Sequence, residues 1–116
     1  MTGSSSWCKP EVRVAIYLRD SFTCAYCGRD LKGCTRSEIG LDHLEPRSLS
    51  NGNPDHSATN LATVCRRCNS QRGNREWRNY APAGAQDRIE ANIAKPLNLD
   101  LATALLEGYE PGFERW

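Results

Sequence analysis

No stretch of this 116-residue sequence is apolar for long enough to cross a membrane, and Met1 to Trp7 are polar, with no apolar leader segment. Both absences point to a cytoplasmic protein with no membrane partner. They also set the chemistry of its six cysteines, because thiols in that compartment stay reduced and available to metal. Net charge is nearly absent, at +1, so the total neither demands nor excludes a nucleic-acid partner. There is no internal repeat beyond two Cys-x-x-Cys pairs, and the length leaves no room for a second independent core. Domains this small bury a modest share of their surface and often recruit a metal or disulfides to make up the deficit.

The charge that is present is unevenly placed. Residues 1–79 carry 12 basic and 8 acidic side chains, whereas residues 80–116 carry 3 and 6. Between Arg66 and Arg78 five arginines face a single acid, Glu76, which makes a basic stripe suited to phosphates or, equally, an ordinary solvated helix face.

Residues 1–9, with Gly3 and three serines, read as a flexible lead-in. Pro10 stands where a first helical residue often does, and Val12, Ala15 and Ile16 give a short apolar face through about Arg19. Phe22 to Leu31 reads as a tight turn around the first cysteine pair, closed by Gly28. Ile39, Leu41 and Leu44 predict a short strand with Asp42-His43 near its end, and Leu61 to Val64 a second strand running into Cys65. Between them, Pro46 to Asn60 is rich in Ser, Asn, Gly and Pro and reads as a long surface loop. Arg66 to Tyr80 reads most simply as one helix, weakened at Gly73. Pro82 and Gly84 mark a boundary, so residues 10–80 form the expected domain and residues 81–116 a helical extension. That extension is expected to hold helices over Gln86–Ala94 and Asn98–Leu106, the second with an apolar face of Leu99, Ala102, Leu105 and Leu106.

The cysteine spacing chooses between metal and disulfides. Cys24-Ala-Tyr-Cys27 and Cys65-Arg-Arg-Cys68 are two close pairs separated by a long insert, the pattern of a structural zinc site. Two disulfides or unrelated buried thiols are the alternative, disfavoured by spacing and compartment. Four thiolates would close the tetrahedral shell and leave no position for water, so this zinc is structural. Cys8 and Cys34 stand outside the pairs and read as free thiols, with a role as ligand in place of one of the four as the lesser alternative.

Between and just after the knuckles stand Asp42-His43, Pro46-Arg47, Asn60-Leu61, Asn69 and Arg72-Gly73. Together with Arg19-Asp20-Ser21-Phe22-Thr23 leading into Cys24, this order closely resembles the HNH endonuclease family in its four-cysteine form. Singly each element is weak; a loop Asn is usually a turn former. The resemblance covers about residues 12–75 and implies an α+β fold, a small ββα-metal core held by a four-cysteine zinc site, with a preceding helix and a C-terminal helical tail. It implies His43 as general base, Asp42 and Asn69 as oxygen ligands of one catalytic divalent ion, and Asn60 as the brace of the backbone that orients His43. With Asn69 where many members carry His, the pattern is similar to the HNN variant, whose donors favour Mg²⁺ or Mn²⁺. Arg47, Arg66, Arg72 and Arg75 are the expected phosphate contacts, and His56 has no motif position.

The function so implied is metal-dependent hydrolysis of DNA phosphodiesters, by nicking or double-strand cleavage, with duplex DNA as partner and the tail as a dimer or docking face. The alternative is a zinc-stabilised DNA-binding or scaffold module without activity.

Overall fold

The computed structural model of the chain describes residues 8–45 and 57–108. The lead-in up to residue 7, the loop segment carrying Arg47 and His56, and the last eight residues lie outside that description. Helix α1, Pro10–Arg19, begins with Pro10 in its first turn, where the missing N–H costs nothing, and its ends match the helix dipole, with Glu11 first and Arg19 last. Val14, Ala15, Ile16 and Tyr17 are all buried, because α1 packs against the second strand and the last helix. It ends in a turn where Ser21 and Phe22 both take positive φ, 57° and 51°. Left-handed backbone is unfavourable for a bulky residue. Here the N–H of Phe22 bonds the Tyr17 carbonyl at 2.8 Å and the Phe22 ring packs 5.8 Å from that of Tyr17, which offsets the cost.

The first cysteine pair follows in a tight loop. Thr23 and Asp30 bridge, the Cys24 N–H bonds the Arg29 carbonyl at 2.9 Å, and the Gly28 N–H bonds the Cys24 carbonyl at 2.9 Å. Gly28 sits at φ 79°, a conformation that suits a residue without Cβ. The loop is tied to the sheet by the Ala25 N–H, which donates to the Thr63 carbonyl at 2.8 Å.

Strands β1, Ile39–His43, and β2, Leu61–Cys65, pair antiparallel with Ile39 opposite Cys65 and His43 opposite Leu61. A two-stranded ribbon is marginal alone. β2 is buried along its whole length, and α1, α2 and α4 pack on it. Helix α2, Arg66–Arg72, starts directly from β2, its first turn capped by Cys65 Sγ accepting the Cys68 N–H at 3.4 Å. Two strands feeding a helix give the expected ββα unit.

The single helix expected from Arg66 to Tyr80 is two. Gly73 leaves helical geometry at φ 54° and ψ −125°, and α3, Trp77–Tyr80, restarts with Glu76 accepting the Arg78 N–H at 2.9 Å. Helices α4, Ala83–Ile93, and α5, Leu99–Gly108, then return over the core. Ala85, Ile89 and Ala102 are buried in the same apolar cluster as Val14, Leu31 and Val64. The apolar face expected on α5 is met at Ala102 and, partly buried, at Leu105 and Leu106, but Leu99 is 45% exposed. Among the described residues no helix is long and apolar enough to cross a membrane.

Candidate active site and metal centre

The Sγ atoms of Cys24, Cys27, Cys65 and Cys68 all lie within 4.8 Å of one another. Cys27 and Cys65 are 3.9 Å apart, and all four are free thiols. A disulfide would hold sulfurs at about 2 Å. A zinc ion with Zn–S bonds of about 2.3 Å needs them at about 3.8 Å, which this cluster meets. The four cysteines therefore form a metal site with the donor set of structural zinc. Its electrostatics are uneven. Burial pushes the Cys68 thiol up to about 12, against a hydrogen bond from Tyr80. Burial also raises Cys27, but the Arg29 N–H and the neighbouring thiols outweigh it and lower Cys27 to about 7.

β1 delivers Asp42 and His43 at its end, and what holds them comes from elsewhere in the chain. Asp42 is buried. Arg72 Nη1 stands 2.9 Å from both of its oxygens, and the Tyr26 hydroxyl donates to Oδ2 at 2.7 Å. Burial, with the Asp42 charge beside it, pushes the Tyr26 phenol well above its ordinary range, so it stays a donor. Arg72 also donates to the His43 carbonyl at 2.7 Å from Nη1, to the Leu44 carbonyl at 2.8 Å from Nη2, and to the Arg75 carbonyl at 2.7 Å from Nε.

The other side of the same backbone belongs to Asn60, which closes a 3-10 turn over Ala58–Asn60 and is buried. Its carbonyl accepts the Leu44 N–H at 2.9 Å, its Oδ1 accepts the Glu45 N–H at 2.8 Å, and its Nδ2 donates to the Glu45 carbonyl at 3.3 Å. The main chain just after His43 is thus gripped by Arg72 and by Asn60. The imidazole itself is half-buried.

The structure brings Asp42, His43 and Asn60 into one connected network. It places Asn69 exposed in α2, one residue beyond Cys68. Arg66 and Arg75 are exposed, as expected of phosphate contacts. Arg72 is not: its side chain is 1% exposed and its guanidinium is committed to Asp42 and three carbonyls, so the phosphate contact expected from the sequence is corrected to an internal strut. Arg47 and His56 fall outside the described residues. Sequence reasoning missed Tyr26. The only signal was an aromatic between two zinc-type cysteines, 3% exposed in the fold and edge-on to Tyr80 at 5.0 Å.

Two antiparallel strands running into a helix, with a four-cysteine metal site between the two cysteine pairs, define a small module of ββα-metal type. Residues 24–75, a little under half of the chain, match the family model described as HNH endonuclease. No curated protein matches the chain.

Proposed function

We propose that the chain is a metal-dependent endonuclease that hydrolyses phosphodiester bonds of DNA, with His43 as general base. The observation that carries this reading is the double grip on residues 43–45 by Arg72 and Asn60, which fixes the backbone bearing a half-buried imidazole at the end of a rigid strand. A base that takes a proton from water in the transition state must be held to a fraction of an ångström, and neutral imidazole has a suitable affinity for that proton. Water oxygen bonds phosphorus as His43 accepts the proton, the bond to the 3′ oxygen breaks, that oxygen takes a proton from solvent water, and the ends are a 5′ phosphate and a 3′ hydroxyl.

Asp42 and Asn69 supply the oxygen donors that suit a hard cation such as Mg²⁺ or Mn²⁺. Bound there, such an ion would supply positive charge to the departing 3′ oxygen. The exposed Arg66, at the start of α2, and Arg75, just past its end, serve as contacts for the phosphate backbone of duplex DNA. One such centre cuts one strand, so a double-strand break calls on a second copy or a second visit.

A second reading is favoured by one observation. Asp42 is held in a buried ion pair with Arg72 and accepts from Tyr26, as it would in a zinc-stabilised binding module without catalysis. Supercoiled plasmid incubated with Mg²⁺, Mn²⁺ or EDTA decides between them. The nuclease reading expects relaxed or linear product with metal, none with EDTA and none from His43→Ala. Intact plasmid under every condition leaves the binding module.

A further inference from the structure

A second buried ion pair stands at the end of α1, outside the matched segment. Arg19 Nε donates to Asp20 Oδ1 at 2.7 Å and Nη2 to Oδ2 at 3.0 Å, with the two side chains 1% and 2% exposed. The same guanidinium crosses to a remote part of the chain. Nη1 donates to the Ala58 carbonyl at 2.8 Å and Nη2 to the Leu61 carbonyl at 2.6 Å. Those two carbonyls bracket Asn60. Asp20 Oδ2 in turn accepts the Thr63 N–H at 3.0 Å, which anchors the pair to β2.

Taking two charges out of water is costly, and apolar residues of similar volume often serve stability as well. The contacts point instead to what the pair positions. A three-residue 3-10 turn has poor hydrogen-bond geometry and little stiffness of its own. Yet Asn60, at the end of that turn, has to present a backbone carbonyl and both amide atoms to Leu44 and Glu45 at once. The rigid fork of Arg19 holds the turn before and after Asn60, and Asp20 holds the fork.

We infer that Arg19, oriented by Asp20, is a positioning residue of the site: it fixes the turn that carries Asn60, and through Asn60 the backbone that aims His43. Arg72 grips that backbone from α2, and Arg19 reaches it from α1. Lysine cannot replace Arg19 in this role. An ammonium can pair with Asp20, but it lacks the planar fork that serves a carboxylate and two carbonyls together. The catalytic consequence rests on the nuclease reading, whereas the mechanical one does not.

The test uses the full-length, zinc-loaded protein and its Arg19→Lys variant, which keeps the charge pair. Zinc content is counted by native mass spectrometry, and amide hydrogen exchange is followed by residue. In Arg19→Lys one zinc remains and the amides of the β1–β2 ladder exchange as in wild type, while those of Leu44 and Glu45 exchange at least about tenfold faster. Plasmid cleavage shows kcat lowered about 10- to 100-fold with KM for DNA within about twofold, since the loss is in aim and not in binding. Unchanged exchange at Leu44 and Glu45 would overturn the inference. So would zinc loss or a uniform rise in exchange across the ladder, which marks a role in stability alone. A wild-type chain that cuts no plasmid would remove the nuclease reading while the exchange contrast still decides the mechanical one.

Discussion

The Asp42 carboxylate offers four lone-pair positions, and Arg72 and Tyr26 take three of them, one on Oδ1 and two on Oδ2. A cation at this site would be held through the remaining position on Oδ1, beside a guanidinium that repels it. Binding of the divalent ion in the absence of DNA is therefore expected to be weak, with a dissociation constant of about a millimolar. Titration with Mn²⁺ followed by electron paramagnetic resonance measures it, and micromolar binding would contradict the lone-pair count. Tyr26→Phe deletes one donor while keeping the ring that packs on Tyr80. Losing a hydrogen bond to a charged acceptor costs about 1.5–3 kcal/mol, read as a lower melting temperature, and cleavage should slow with it. His43→Ala should behave differently, with zinc still bound and cleavage reduced about 10²- to 10⁴-fold. Asp42, His43 and Asn60 were legible in the sequence because their order and spacing are distinctive. Arg72 was legible as a motif position but not as a buried strut, because whether an arginine points outward depends on which way its helix ends. Tyr26 carried no spacing of its own.

That ending is the work of a short segment after α2. Arg72 is the last residue of the helix, Gly73 turns at φ 54° and ψ −125°, and the Arg75 N–H returns to the Arg72 carbonyl at 3.0 Å while Arg72 Nε bonds the Arg75 carbonyl. By propensity, glycine only weakens a helix, which is why the sequence predicts one helix through Tyr80. In the fold it stops the helix and frees the arginine to turn inward. A Cβ at Gly73 would meet nothing closer than the Ser70 carbonyl oxygen at 3.9 Å, so Gly73→Ala has space. Its cost is conformational, about 1–3 kcal/mol, because L-residues rarely adopt that backbone. Chemical denaturation should show the loss with one zinc still bound; an unchanged midpoint would mean the turn re-forms another way. The other elements were readable for local reasons. Pro10 starts α1, alternating apolar residues mark β1, and Gly28 closes the first knuckle. Leu99 was misplaced because helical periodicity shows that a face exists, and only the packing of α5 on α1 shows where it begins and ends.

At the scale of the molecule, the zinc cluster joins segments that have little else to hold them. Cys24 and Cys27 belong to a loop without regular structure, Cys65 ends β2 and Cys68 lies in α2, so one ion would tie loop, sheet and helix. Zinc takes thiolates, and the protons it displaces set how its affinity depends on pH. In the metal-free site Cys27 is lowered to about 7, while Cys68 is raised to about 12 and Cys24 is raised as well, both chiefly by burial. At pH 8 Cys27 is therefore mostly ionised, and Cys24 and Cys68 still carry protons. Uptake of one zinc must release at least those two, and below pH 7 a third from Cys27. Each released proton changes the apparent affinity about tenfold per pH unit. Acidification must weaken binding, by at least about 100-fold per unit between pH 8 and 7 and by at least about 1,000-fold per unit below that. Competition against a chromophoric chelator across this range measures the slope. Because His43 lies outside the zinc shell, His43→Ala should leave the slope unchanged, whereas Cys68→Ser should lose the zinc and with it the pairing of β1 to β2. A slope below about 100-fold per unit between pH 8 and 7 would mean that Cys24 or Cys68 does not bind the zinc as a thiolate.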